Sequence, residues 1–502
     1  MRGKFIIYQM MLRAFGDRKC VSGGSYIVNG SGKFDDVTVE RLKEIKKLSV
    51  RAIWYTGIIA HASKTVFRDI QNCNSSLIKG KAGSPYAIRD YYDVDPALAT
   101  SVTNRMNEFE NLIKRTHDAG MKVIIDFVPN HVYRAYSSEK NHFGPENFYL
   151  LNEDLHLPSE LKSNYRESPA KATGNNCFSP YPSLNDWYET VKLNYENRDT
   201  WYQMFEILKF WAAKGVDGFR CDMVEMVPVE FFGWVFPQMR KIFPDIKFIA
   251  EVYKKENYQI YSQNGDFDFL YDKSGMYDTL IDILEGKESA SLLTSQWQSL
   301  GNLQYKMLNF LENHDEQRLA SDFIIGSGKK ALPALIVSLF FNTAPFMIYF
   351  GQEFGERGME KEGFSSLDGR TSIYDYCIVP SIKRWIQKKL NTDEIAIYKE
   401  YCNLLKIATV DDIFTLGKTF DLGYVNPASE YFNPDKQFAF LRAYNQHAAL
   451  IVVNFDNKEV NVRVNIPEHA FEYLNIKQTK DINSSNSVPL KIAQYNGVVN
   501  YI

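Results

Sequence analysis

Short apolar runs ending in polar tips alternate with longer amphipathic runs through the first four hundred residues, and nothing else in the chain restricts its fold as strongly. Runs at 5–10, 52–56, 122–127, 218–222, 248–251, 267–271, 307–312 and 346–350 are short, apolar and rich in β-branched or aromatic residues, the pattern of strands buried on both faces. Between them, 37–48, 104–119, 200–213, 231–242, 277–284 and 329–341 repeat their apolar residues at three and four positions, which predicts helices. Strand-like runs alternating with helical ones give a parallel β/α barrel rather than a sandwich. No repeat of twenty to fifty residues is visible beyond this alternation.

The fourth of these strands also carries chemistry. Residues 215–227 read Gly-Val-Asp-Gly-Phe-Arg-Cys-Asp-Met-Val-Glu-Met-Val, and period two places Arg220 and Asp222 on one face, opposite Phe219 and Cys221. An arginine beside a carboxylate holds it ionised, as a nucleophile requires. Taken alone, a structural ion pair explains the two residues equally well. Glu251 ends the apolar run 248–250, however, and Asp315 closes Phe-Leu-Glu-Asn-His-Asp after the run beginning at 307. Three acidic residues at the C-terminal tips of separate strands are what a barrel enzyme places around its site.

Four segments then make a resemblance plain: Asp126-Phe-Val-Pro-Asn130-His131, Gly218-Phe-Arg220-Cys-Asp222, Glu251-Val-Tyr253 and Asn313-His314-Asp315. In this order, each after its own strand, they resemble the signatures of the α-amylase family of retaining glycoside hydrolases and transglycosylases. The resemblance implies a catalytic (β/α)8 TIM barrel with an insertion domain after strand three and a C-terminal antiparallel β-sandwich domain. It implies Asp222 as nucleophile, Glu251 as acid/base and Asp315 as the third carboxylate, which grips the sugar's hydroxyls. Such a retaining pair sits about 5 to 5.5 Å apart. Neighbouring anions are expected to keep Glu251 protonated, and Arg220 to keep Asp222 charged. By the same resemblance His131 and His314 hydrogen-bond the sugar, Tyr86 in Ser-Pro-Tyr-Ala-Ile stacks on it, and Asp368 and Arg370 of Asp-Gly-Arg-Thr contribute to the pocket, although a plain turn explains the last two as well.

Departures from the pattern narrow the expectation. Calcium-dependent members hold the ion with the residue at Asn130 and with a carboxylate that corresponds to Lys192 in Val-Lys-Leu-Asn-Tyr. A charged lysine offers no lone pair and repels a cation, so no calcium and no other cofactor is expected there. Glu225-Met226 stands where starch-cleaving endo-acting relatives often carry Lys-His, and Ser84 replaces the usual histidine before Tyr86. Short maltooligosaccharides or another α-glucoside therefore stay open as substrates beside starch. So do transglycosylation or sucrose-type chemistry and, remotely, a non-catalytic carbohydrate-binding or assembly relative.

About sixty residues, 131–195, separate the third strand from the next helix, too many for an ordinary connection. Trp187, Tyr188 and Tyr195 argue that this insertion is folded rather than a free surface excursion, and the resemblance implies that it overhangs the active-site face. The barrel is expected to finish with a helix over 394–408. Beyond residue 411 short alternating runs such as Phe-Ala-Phe-Leu-Arg-Ala-Tyr predict an antiparallel sandwich. The expected units are 1–130 with 196–410 for the barrel, 131–195 for the insertion and 411–502 for the sandwich. Loops 131–195 and 353–371 are expected to shape the outer subsites.

A formal charge of -3 gives no reason to expect nucleic acid or an anionic membrane as partner, leaving an α-glucan or α-glucoside and a monomer or small homo-oligomer. The 14% aromatic content suits sugar stacking only weakly, since most such rings are core. The apolar stretch 331–350 is broken by Pro333, Asn342 and Pro345, which predicts a buried helix and strand, not a membrane span. At the amino terminus Tyr8, Gln9 and Arg13 interrupt a leader-like run, and a first barrel strand is expected instead. Six cysteines without Cys-x-x-Cys spacing predict free thiols in a reducing cytoplasm, with a periplasmic form lacking its leader as the alternative.

Overall fold

The structure, a computed structural model, describes residues 4–140, 143–360, 368–477 and 487–502. The leader-like start at 1–3 and the middle of the 353–371 loop, residues 361–367, lie outside the described residues. Eight parallel strands close into a barrel: Ile6–Met11, Ala52–Thr56, Lys122–Phe127, Gly218–Cys221, Lys247–Ala250, Phe269–Tyr271, Met307–Phe310 and Phe346–Tyr349. Each pairs with its sequence neighbours, and Ile6 opposite Phe346 closes the ring. Alternation sorts the side chains: Ile7, Trp54, Ile124, Ile249, Tyr271, Leu308 and Met347 fill the interior as one cluster, while their neighbours pack outward against the helices.

The helix before the fourth strand shows how the sequence places the site. Arg198–Ala213 begins where Asn197 accepts a hydrogen bond from the Asp199 N–H at 3.0 Å, with Asp199 itself favourable in the first turn. Trp201, Met204, Ile207, Leu208 and Trp211 recur three and four apart and are buried against the barrel, each worth roughly 1.5–3 kcal/mol of burial. Gly215, at φ +99°, ends it and turns the chain into Gly218–Cys221. Phe219 then faces outward onto Phe127 and Phe248, and Arg220 faces the barrel axis. Several short helices, Leu292–Leu300 and Pro380–Ile386 among them, were not legible as periodic runs; the first has Leu293 and Leu300 as its buried residues, and the second ends after seven residues.

The insertion has little regular structure. His131–Tyr133 pairs antiparallel with Thr190–Lys192, and most of what lies between is short turns. A fully buried arginine substitutes for sheet: Arg134 donates to the Tyr188 and Thr190 carbonyls at 2.7 and 3.1 Å and is neutralised by Glu167 at 2.6 Å. Tyr188 and Tyr195 are buried, as their cost in water requires.

At the other end, Lys418–Asp421, Gln437–Tyr444, His447–Asn454 and Asn496–Tyr501 form an antiparallel sheet, with Val460–Asn465 and Ser487–Ile492 as a second. Their apolar faces share one core, including Leu441, Leu450, Val462 and Val488. Arg442 fixes this unit to the barrel by donating to the carbonyls of Phe340 and Gly417 at 2.8 and 2.7 Å.

One expectation is overturned. Cys20 and Cys377 form a disulfide with Cα atoms 4.7 Å apart, so four cysteines are free, not six. They stand 357 residues apart in sequence, and only closure of the first strand against the eighth brings their loops together. No spacing rule could have paired them. Among the described residues no helix is long and apolar enough to cross a membrane; the 331–350 stretch divides into Leu332–Phe340 and the eighth strand.

Candidate active site

Asp222, Glu251 and Asp315, which follow the fourth, fifth and seventh strands, line one cavity of about 230 Å³ at the C-terminal mouth of the barrel. Tyr86, His131, Met223, Tyr253 and Tyr374 line it with them. Arg220 lies beneath, wholly excluded from solvent. Its Nη1 meets Asp222 Oδ1 at 2.6 Å and its Nη2 meets Glu251 Oε1 at 2.6 Å, so one guanidinium holds both carboxylates side by side. The aromatic rings of Trp54, Tyr86 and Tyr271 surround the guanidinium, with centroids 5.4 to 5.7 Å away, and keep water from it.

The two acids differ in what remains free. Glu251 accepts from the Met223 amide at 2.7 Å through Oε2 and from the Tyr253 hydroxyl at 2.9 Å through Oε1. Met223 can present that amide because it sits at φ +45°, a strained left-handed turn directly after Asp222. Asp222 has Oδ1 on Arg220, but its Oδ2 is buried without a partner in the protein. An unpaired buried carboxylate oxygen is costly, and here it belongs to a residue on the cavity wall.

Burial dominates the ionisation of this cluster. It raises Asp222 to about 6 although Arg220 pulls the other way, and it raises Glu251, again against Arg220, with the Asp222 charge adding to the rise. Asp315 rises to about 7 through burial and then through Glu251. Asp222 is thus held less firmly ionised than an exposed arginine pair would hold it, because the same enclosure that strengthens the pair penalises the charge.

His314 is buried below Asp315. Gln9 Nε2 donates to its Nδ1 at 2.8 Å, so the ring proton sits on Nε2, which faces the Tyr86 hydroxyl at 2.5 Å and Asp315 Oδ2 at 3.1 Å. Tyr86 and His314 stack with centroids 5.4 Å apart. His131 meets Asn130 through Nδ1 at 3.0 Å, and burial with the nearby Lys192 charge lowers it to about 3, a neutral ring at any working pH. Asp126 accepts from the Gly57 amide at 3.1 Å and braces the floor. Asp368 and Arg370 are not among the cavity-lining residues; their turn is held from behind, by Gln317 donating to the Asp368 carbonyl at 2.8 Å and Arg318 N–H donating to the Gly369 carbonyl at 2.6 Å.

The residues at the position that the resemblance assigns to calcium do not fit a cation. Lys192 Nζ donates to Asn130 Oδ1 and to the Met226 carbonyl, each at 2.9 Å, so the ammonium already occupies the oxygens that an ion would need. Among the described residues no group of three His, Cys, Asp or Glu side chains is disposed to hold a metal.

Several lining residues were not legible beforehand: Lys79, Trp187, Glu189, Thr190, Ile373 and Tyr374. Thr190 opens the three-residue strand Thr190–Lys192, and the others sit on irregular loops where no periodicity assigns a face. Tyr253 and Gln9 left weak signals, the first two positions from Glu251 and the second a polar residue inside an apolar strand.

A closed parallel barrel with carboxylates from separate strand ends around a sugar-sized hollow defines a glycoside hydrolase of the barrel type. Residues 27–401 match the family model of the alpha amylase catalytic domain, and the chain belongs to the α-amylase family. Over 433 residues, 80% of this chain and 76% of the relative, it is 26% identical to Alpha-amylase 3 of Dictyoglomus thermophilum. Among solved structures it is similar to a noncanonic maltogenic alpha-amylase, AmyB, from Thermotoga neapolitana, with TM-score 0.67 and 21% identity over 99% of this chain and 98% of that one. It is also similar to a debranching enzyme of Nostoc punctiforme soaked with acarbose, with TM-score 0.70 and 17% identity over the whole of both chains.

Proposed function

We propose that the protein hydrolyses α-glucosidic bonds of starch-type glucans or maltooligosaccharides with retention of configuration. Glu251 gives its proton to the glycosidic oxygen while an Asp222 oxygen bonds to the anomeric carbon and the carbon–oxygen bond to the leaving sugar breaks. Glu251, now ionised, takes a proton from water, whose oxygen displaces Asp222 and restores both acids. Asp315 and His131 hold the sugar's hydroxyls, Tyr86 covers its apolar face, His314 positions Tyr86 and Asp315 from below, and Arg220 fixes both acids.

The observation that carries this reading is Asp222 Oδ2, buried, unpartnered and on the cavity wall while its twin is tied to Arg220. Relatives named for amylase action and an acarbose-soaked neighbour support α-glucans as the substrate class. The disulfide supports an oxidising compartment, the exported one of the two alternatives. Digestion of starch, pullulan, sucrose, maltose and isomaltose, with the first product's anomer followed by NMR, tests the function. Release of the α-anomer from an α-1,4-glucan is expected; the β-anomer first, or no turnover of any of these, would overturn it.

A further inference from the structure

Lys79 and Glu189 line the same cavity as the three acids and meet each other at 3.1 Å. Lys79 lies between the second and third barrel strands and Glu189 in the insertion, so the pair bridges two separate loops across the barrel mouth. Glu189 is 4% exposed. Its Oε1 is on Lys79, and its Oε2 is buried with no partner in the protein. After Asp222 Oδ2 this is the second unpaired carboxylate oxygen on one cavity wall. Such an oxygen is tolerated where a ligand donates to it.

Three successive carbonyls around Glu189 are held by one residue. Arg134 grips the carbonyls of Tyr188 and Thr190 with its guanidinium, and its own amide donates to the Glu189 carbonyl at 2.7 Å. The bridge also has a definite side. The Tyr374 carbonyl accepts from the amides of Lys81 and Ala82 at 3.0 and 2.9 Å, tying the Lys79 loop to Tyr374, whose phenol feels the charges of both Glu189 and Asp315. His131 feels Lys79. Glu251 instead holds to Met223 and Tyr253. The acid that protonates the leaving oxygen faces the departing sugar, so the His131 side receives the sugar that bonds to Asp222.

We infer that the Lys79–Glu189 bridge walls off the donor side of the cavity, that Glu189 Oε2 accepts a hydrogen bond from a hydroxyl of a terminal glucosyl unit, and that the enzyme acts at the non-reducing ends of α-glucans. This rests on the hydrolase reading above. The test compares two nitrophenyl maltoheptaosides, one free and one ethylidene-blocked at the non-reducing end. The wild-type protein should turn over the free-ended substrate about 100-fold better in kcat/KM, since a blocked end leaves Glu189 unpaired and strikes the wall. The Lys79→Ala/Glu189→Ala double variant should narrow that ratio to within about threefold, and Glu189→Gln should raise KM more than it lowers kcat. Equal wild-type turnover of both substrates would overturn the inference and leave the hydrolase reading intact. Turnover of neither would overturn the hydrolase reading, and the inference with it.

Discussion

Two fully buried arginines lie near the barrel's C-terminal mouth, and their surroundings differ in one respect. Arg318 donates to Glu312 Oε2 at 2.9 Å, to the Phe350 carbonyl at 3.0 Å and twice to Thr371 Oγ1, while Glu312 Oε1 accepts from the Leu319 amide at 2.9 Å. Both Glu312 oxygens are satisfied. Arg220 likewise pairs with Asp222 and Glu251, yet Asp222 keeps an oxygen with nothing to receive. Buried charge is therefore no guide to function in this protein. The informative difference is where hydrogen bonding stops short, because a finished network can only hold the fold, whereas an unfinished one on a cavity wall waits for another molecule.

The widest separation between the two clusters should appear in turnover. Asp222→Asn is expected to lower kcat on maltooligosaccharides by roughly 10⁴-fold and Glu251→Gln by about 10²–10⁴-fold, with unfolding midpoints close to wild type. Near-normal rates would break the contrast at its active end. Arg318→Met should do the reverse, removing about 3–5 kcal/mol of stability in denaturant titration by leaving Glu312 buried and unpaired, while the folded fraction keeps most of its turnover. A fully stable Arg318→Met protein would break it at the structural end.

A smaller effect sharpens the electrostatic side. As the proposed nucleophile Asp222 must be ionised, and its value near 6 means that kcat/KM should fall as pH drops through about 6 rather than near the ordinary carboxylate range. An acid limb near pH 4 would show that Arg220 outweighs burial after all. Smallest of all, exhaustive chelation should leave rate and melting temperature unchanged, because Lys192 supplies the positive charge between Asn130 and Met226. A calcium-dependent rise in melting temperature would contradict that.

The strands and long helices were readable because burial on both faces, or on one stripe, writes a period into the chain. The tips were readable too, since each acid closes an apolar run, and Asp222, Glu251 and Asp315 do come to one cavity. Short helices such as Pro380–Ile386 bury too few residues to write a period. Asp368 and Arg370 lie in a turn that writes no period, and its support came only with the tertiary structure, where the Arg318 amide and Gln317 hold it from behind.

The amino-acid order alone determined the barrel, its trailing sheets and the acids that end its strands, which follow from local periods of two and nearly four, and it marked the insertion by a connection too long for an ordinary loop. Tertiary structure alone decided that Cys20 reaches Cys377, that Lys192 settles between two oxygens, and that Glu189 is left with an idle oxygen beside Lys79. Each of those depends on loops from distant strands meeting at a closed rim. A local pattern records which face is buried, but not which stranger arrives there.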